Sequence, residues 1–386
     1  VTTSIYLDNA ATSFPKPDAV YDAVDRYQRS NGRPVGRGTS DAAMEVLRTV
    51  DRCRMRAAEL LGAAGKSQVV FTFNATDALN TVLHGLLRPG DHVVTAEGEH
   101  NSVLRPLRHL EQRGVTVTVV AVDPVGRFDA SAIKAALRPD TRLIAVQHAS
   151  NVTGILQPVD DVAQIAREAG ARFLLDAAQT AGHMPLRQTD IGADYLACSG
   201  HKGLFGPLGT GLLLIAPGCE RELEPLRQGG TGSRSEEETQ PSHMPDRFES
   251  GNHNAPGLIG LEAALAFLQQ LGADRIREHE QQLAQAFCEE VRGIHGVTLH
   301  SLADRTRHTG IVSVSSELYA ADELATLLHQ HFGIETRAGL HCAPGMHRRL
   351  GTLDRQGTVR FSPGLHNSLD DMQTAAAALK ELHGAG

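Results

Sequence analysis

The stretch RAGLHCAPGMH, residues 337–347, places Cys342 between His341 and Ala343-Pro344 in a glycine-flanked loop. Three readings are open to that thiol: a bystander, a metal ligand beside His341 and His347, or a nucleophile. One thiol and two imidazoles make an incomplete metal set unless acids join from elsewhere. A nucleophile must be a thiolate, and Arg337, His341 and His347 are the neighbours able to favour one. The other four cysteines, Cys53, Cys198, Cys219 and Cys288, have no such company and no paired spacing, so reduced, structural thiols are expected.

A lysine is the second candidate. In YLACSGHKGLFGPLGTG a strand ends at Ser199, Gly200, His201 and Lys202, and a glycine-rich turn follows. Ligands of open α/β sheets bind at the carboxyl ends of strands, and a partly desolvated amine there can form a Schiff base. A lone lysine in a turn is ordinarily a surface residue, so its neighbours matter. FLLDAAQTAGH ends an apolar strand on Asp176, which needs either a cationic partner or a helix to cap. A pyridinium nitrogen is one such partner, and Gln179, three residues on, can reach a ring hydroxyl. In QVVFTFNATDALN a strand runs into Asn74, Ala75 and Thr76 and then a helix, whose free N–H groups suit a phosphate. Plain capping by Thr76 is the alternative. Ser199 and His201 offer donors to the same phosphate. His100 in EGEHNSVLRP and Asn151 in HASNVTG also fall at strand ends, and an imidazole can stack on a flat ring and move protons near neutral pH.

These residues need a scaffold, and the chain supplies one. From residue 40 helical periods alternate with short apolar strands: DAAMEVLRTVDRCRMRAAELLG, QVVFTF, TDALNTVLHGLL, HVVTAE, VTVTVVAV, LIAVQHAS, PVDDVAQIAREAG, RFLLDAA, YLACSG and GLLLIA. That order implies a mostly parallel sheet covered on both faces. Residues 218–256 form a polar connector too long to be idle. Two long helices then lead into short strands VTLHS, IVSVSS and TVRFS, a smaller α+β unit. At 386 residues two domains are expected. A net charge of -8 without a dense basic block argues against nucleic acid. No apolar run approaches the length of a membrane helix and VTTSIYLDNAAT lacks the pattern of a leader, so a cytoplasmic location is expected. No strand is followed by G-x-G-x-x-G, which weighs against a nicotinamide oxidoreductase.

Taken together, YLDNAATSFPKP, NATDALN, EGEHNSV, HASNVTG, LLDAAQTAGH, SGHKGLFGPLGTG, RAGLHCAP and TVRFSPGLHNS resemble, in order and spacing, the cysteine desulfurases and selenocysteine lyases of the class V aminotransferase group. The resemblance implies a fold-type I pyridoxal phosphate enzyme of α/β class. Its large domain, residues 16–256, would carry a mostly parallel seven-stranded sheet flanked by helices, and residues 1–15 with 257–386 a smaller α+β domain bearing the cysteine loop. It implies Lys202 as Schiff-base lysine, Asp176 at the pyridine nitrogen, Gln179 at the ring oxygen and His100 over the ring. Ala75, Thr76, Ser199 and His201 would hold the phosphate, and Asn151 and Arg360, with Arg337 nearby, the substrate carboxylate. Where many members have a Gly-Thr reaching across a homodimer to the phosphate, this chain has Gly251-Asn252, and asparagine still donates. The activity implied is conversion of L-cysteine to L-alanine, with sulfur passing to Cys342 as a persulfide and on to an acceptor protein. A selenocysteine lyase or a cystine or cysteine C–S lyase shares the scaffold with less need of Cys342, and a sulfur-relay protein without turnover is a remoter reading. No metal is implied.

Overall fold

The protein is described from a computed structural model covering residues 4–36, 38–233, 236–301 and 307–384. Its strands are β1 (Ile5–Tyr6), β2 (Val69–Thr72), β3 (His92–Ala96), β4 (Thr116–Val120), β5 (Thr141–Gln147), β6 (Arg172–Asp176), β7 (Tyr195–Ser199), β8 (Gly211–Ile215), β9 (Val297–Leu299), β10 (Val312–Ser316), β11 (Ile334–Glu335), β12 (Arg337–Gly339) and β13 (Thr358–Phe361). Seven of them form one sheet in the order β2-β8-β7-β6-β5-β3-β4. Neighbours are parallel except around β8, which is antiparallel to both β2 and β7.

Strand residues alternate between two buried faces. In β6, Phe173 and Leu175 join one apolar cluster and Leu174 the other, so both faces of the sheet are covered by helices. Reversal at β8 leaves β2, β3, β5, β6 and β7 pointing the same way. Their carboxyl ends therefore deliver residues 74–76, 97–101, 148–151, 176–179 and 199–202 to one edge.

Strands β12-β13-β10-β9 form a second, antiparallel sheet. Helices Ala273–Val291 and Leu369–Leu382 supply its apolar partners, with Phe287 and Phe361 ring centroids 4.6 Å apart. Val359 and Phe361 both point into that core. Arg360 between them must point the other way, toward the edge of the large sheet. The first strand, β1, pairs with β11, and Leu7 joins the same core. Residues 8–17 are thereby threaded between the two sheets. No helix among the described residues is long and apolar enough to cross a membrane.

Candidate active site

The five strand-end loops enclose a cavity of about 180 Å³ lined by residues that include Thr76, His100, Asp176, Gln179, Ser199 and Lys202. Ala75, Asn151 and His201 line it too.

Lys202 enters from the turn after β7. Burial lowers its pKa to about 8, with nearby Asp176 opposing the shift and Arg360 and Arg337 adding to it. A good part of the amine is therefore neutral near pH 8. The turn itself is fixed by residues 12–16. Ser13 N–H and the Thr12 hydroxyl donate to the carbonyl of His201 (3.1 and 3.0 Å), and the Ser13 hydroxyl donates to that of Lys202 (2.9 Å). Lys16 Nζ adds a 2.8 Å bond to the His201 carbonyl. A Cβ at Gly203 would collide with His183 and the Ala181 carbonyl, which is why glycine follows the lysine.

Asp176 is buried at the end of β6, and burial raises its pKa. One oxygen accepts from Ala178 N–H at 2.9 Å, an Asx turn rather than a helix cap. Among the described residues no cation lies within ion-pair distance, so a buried carboxylate faces the cavity with room for a positively charged group. Gln179 donates to the Ala10 carbonyl at 3.2 Å beside it.

On the opposite wall, helix Ala75–Leu86 begins at Ala75 and is capped by Asn74, whose Oδ1 accepts from Asp77 N–H at 2.9 Å. Thr76 is thus freed from capping, and its hydroxyl lies 2.7 Å from that of Ser102. The Ser199 hydroxyl accepts from Ala75 N–H at 3.1 Å and keeps its own proton to donate. Nδ1 of His201 is buried without a partner among the described residues. Three hydroxyls, an unpartnered imidazole nitrogen and a helix start make a polar cradle suited to a phosphate. A group with a cationic ring nitrogen near Asp176, an aldehyde near Lys202 and a phosphate at this cradle fits the donor set; pyridoxal phosphate has that chemistry.

His100 is set differently from the expectation of a proton shuttle near neutral pH. Its Nδ1 accepts from Ser102 N–H at 3.0 Å, so the ring proton sits on Nε2. Burial first, and the charge of Lys202 second, bring its pKa to about 4. At neutral pH it is an uncharged plate.

Arg360 is buried. Its Nη2 donates to Asp8 at 2.6 Å and its Nη1 to the Asn151 carbonyl at 3.0 Å, while Nε has no partner among the described residues. Arg337 stands directly opposite it in the β12–β13 register and so shares its face, but is exposed; neither arginine is among the residues lining the cavity, which Arg360 reaches through its bond to Asn151. The Asn151 amide donates to the carbonyl of His341 at 2.6 Å, leaving Oδ1 buried and unpartnered among the described residues. Asn252 is exposed and lines a separate groove of about 700 Å³ with Arg54, Glu249 and His253.

Cys342 is the one exposed cysteine of five. Its carbonyl accepts from Asn101 N–H at 2.7 Å, which puts its turn beside His100 at the cavity's rim. His341 and Cys342 both have positive φ, 47° and 58°, a region costing an ordinary residue roughly 1–2 kcal/mol. The two histidines expected to favour a thiolate are buried and neutral. His341 donates from Nε2 to the Thr358 carbonyl (3.1 Å) and is pushed to about 2, and His347 is held at about 4, both mainly by burial. Arg337 is left as the cationic member of that trio. Among the described residues no three of His, Cys, Asp and Glu are grouped to hold a metal ion.

The sequence profile of the family Aminotransferase class-V matches residues 5–374. The chain belongs to this family. Among curated relatives, a probable cysteine desulfurase of Methanothermobacter thermautotrophicus is 35% identical, over 99% of this chain and 95% of its own. A cysteine desulfurase from Thermococcus onnurineus, solved in its apo form, superposes with a TM-score of 0.92 at 33% identity, covering 99% of this chain and 95% of that one. The cysteine desulfurase CsdA of Escherichia coli gives 0.88 at 27% identity, covering 98% and 94%.

The cavity also contains groups that sequence reasoning missed. Ser102 and Gln147 line it. Behind Gln147, Glu99 is fully buried and accepts from Gln147 N–H at 3.0 Å, and burial raises its pKa well above the ordinary value. Within YLDNAATSFPKP, Asp8, Thr12, Ser13 and Lys16 brace Arg360 and the Lys202 turn, roles that the motif alone does not reveal.

Proposed function

We propose that this member of the class-V aminotransferase family is a pyridoxal phosphate-dependent cysteine desulfurase that takes L-cysteine to L-alanine and leaves the sulfur on Cys342 for transfer to an acceptor. The observation that carries this reading is the exposed Cys342 on a turn bonded to Asn101, at the rim of a cavity holding Lys202 and Asp176. The relatives named above support the substrate.

Bound in the cavity, pyridoxal phosphate would supply an electron sink that loosens the α-proton and then the C–S bond of the amino acid. Asp176 would hold the ring nitrogen in its protonated state, since a buried carboxylate with no cation at ion-pair distance favours one beside it. Ala75, Thr76, Ser199 and His201 would hold the phosphate, Gln179 the ring oxygen, and neutral His100 would cover one face of the ring. Arg360 would grip the substrate carboxylate through its free Nε edge, a charge-assisted contact in a dry site.

Lys202, once free, has the pKa to take a proton from carbon and return it near neutral pH. The Cys342 thiolate attacks the substrate's sulfur; the S–S bond forms as C–S breaks, and that electron pair ends, with protons, as the methyl group of alanine. One cysteine and one enzyme thiol give one alanine and one persulfide.

The same reading takes in a homodimer and a protein acceptor. Exposed Thr76 on the cavity wall and exposed Asn252 in its own groove suit closure by a second copy, and an exposed Cys342 suits delivery to another protein. It also takes residues 16–256 and 1–15 with 257–386 as the two domains, supported by the pairing of β1 with β11. Alanine formation from L-cysteine under reductant, compared with Cys342→Ala, tests the proposal. Loss in the variant supports it; full activity in the variant marks a C–S lyase instead.

A further inference from the structure

The turn that presents Cys342 is laid against the segment that carries His100. Residues 97–101 follow β3, and residues 342–346 meet them at three points. Asn101 N–H donates to the Cys342 carbonyl at 2.7 Å. A Cβ at Gly345 would overlap the Glu97 carbonyl oxygen, so two backbones touch there and only glycine fits. A Cβ at Gly98 would stand 2.7 Å from Cε of Met346. Met346 is fully buried, and with Ala343 it belongs to the apolar cluster of the large sheet, whereas the C-terminal sheet has a separate core. Its thioether passes between Gly98 and Gly126, where a Cβ would also meet Cε and Sδ at 2.7 Å. An unbranched, deformable side chain suits a slot between two glycines. The slot matters because the turn beside it is strained. Two consecutive residues with positive φ, His341 and Cys342, persist only where their surroundings fix them.

We propose that Met346 is a positioning residue for Cys342: its side chain, seated between Gly98 and Gly126, sets the place of the thiol relative to His100 and the cavity behind it. This rests on the reading of Cys342 as nucleophile. Met346 follows Cys342 by four residues and Gly98 precedes His100 by two, so a change in the slot moves the thiol against the cavity. A misplacement of about 1 Å at a reacting atom can cost on the order of a hundredfold in rate.

The other four cysteines are buried, so alkylation of the folded protein by iodoacetamide reports Cys342 and needs neither substrate nor turnover. Met346→Ala empties the slot. Gly98→Ala crowds it from the other side, where the remaining neighbours stand at an ordinary 3.6 Å, and it carries the test if Met346→Ala folds poorly. In each, the alkylation rate is expected to change by about threefold or more and kcat for L-cysteine to fall about tenfold, with KM within about twofold. Met346→Leu, close in volume, is expected to stay within about twofold of the wild type in all three. Combining Gly98→Ala with Met346→Ala puts the new methyl where Cε was, and is expected to bring alkylation closer to the wild-type rate than either single variant does. Alkylation within about twofold of wild type in both single variants, or defects that multiply in the double one, would overturn the proposal. If Cys342 is not the nucleophile, alkylation still responds in Met346→Ala while kcat does not, so that failure is told apart from this one.

Discussion

Asp8 and Arg360, 352 positions apart in the chain, meet at 2.6 Å inside the molecule. The pair joins the N-terminal segment to β13 and engages Nη2 of a buried guanidinium, leaving Nε without a partner among the described residues. Asp8 therefore orients the arginine rather than blocking it. Removing one partner of a buried ion pair strands the other.

Asp8→Asn is expected to raise the KM for L-cysteine roughly five- to twentyfold with a smaller change in kcat. Steady-state kinetics check this. A fall in KM would mean that Asp8 competes with the substrate for Arg360.

Capture of pyridoxal phosphate by the cofactor-free chain needs a neutral Lys202 amine. With a pKa lowered to about 8 by burial, that amine loses its proton as pH rises through about 8, whereas an ordinary lysine does so at 10.5. The rate of capture, followed by visible absorbance, is expected to reach half its plateau near pH 8. A midpoint at the ordinary lysine value would contradict the burial argument, and Lys202→Ala should show no borohydride-fixable cofactor.

Acid should unfold this protein through its histidines. His100, His148, His201 and His347 lie at about 4 and His341 at about 2, against an ordinary 6.5, each mainly through burial. Between these values the unfolded chain binds protons on the five rings and the folded chain does not. Their contribution is complete above pH 6.5 and is lost progressively as pH falls toward 4, by up to about 1.4 kcal/mol per pH unit for each ring. Glu99 and Asp176, raised by burial, act in the opposite sense but are fewer. Denaturant midpoints are expected to drop between about pH 7 and pH 5; a flat or rising profile would contradict this.

The cofactor-side residues were legible in the sequence because each follows an apolar strand, and strand ends in a parallel sheet converge on one edge. Lys202, Asp176, His100 and the 74–76 turn could be placed that way. Strand direction was not legible: GLLLIA reads like its neighbours, and only its pairing with both β2 and β7 makes β8 antiparallel. Nor was the brace of Thr12, Ser13 and Lys16 on the Lys202 turn, since hydrogen bonds across almost 190 residues leave no local pattern. Nor was the charge state of His341 and His347 legible, for a related reason. Spacing put them near Cys342, but burial, which neutralises them, is a property of the folded core.

The most direct test of the central claim is the mass of the peptide carrying Cys342 after the holoenzyme has met L-cysteine without reductant or acceptor. One added sulfur atom on Cys342, in equal amount to the alanine formed in the first turnover, is the predicted result. Alanine formed with Cys342 unmodified and the sulfur released free would contradict the account.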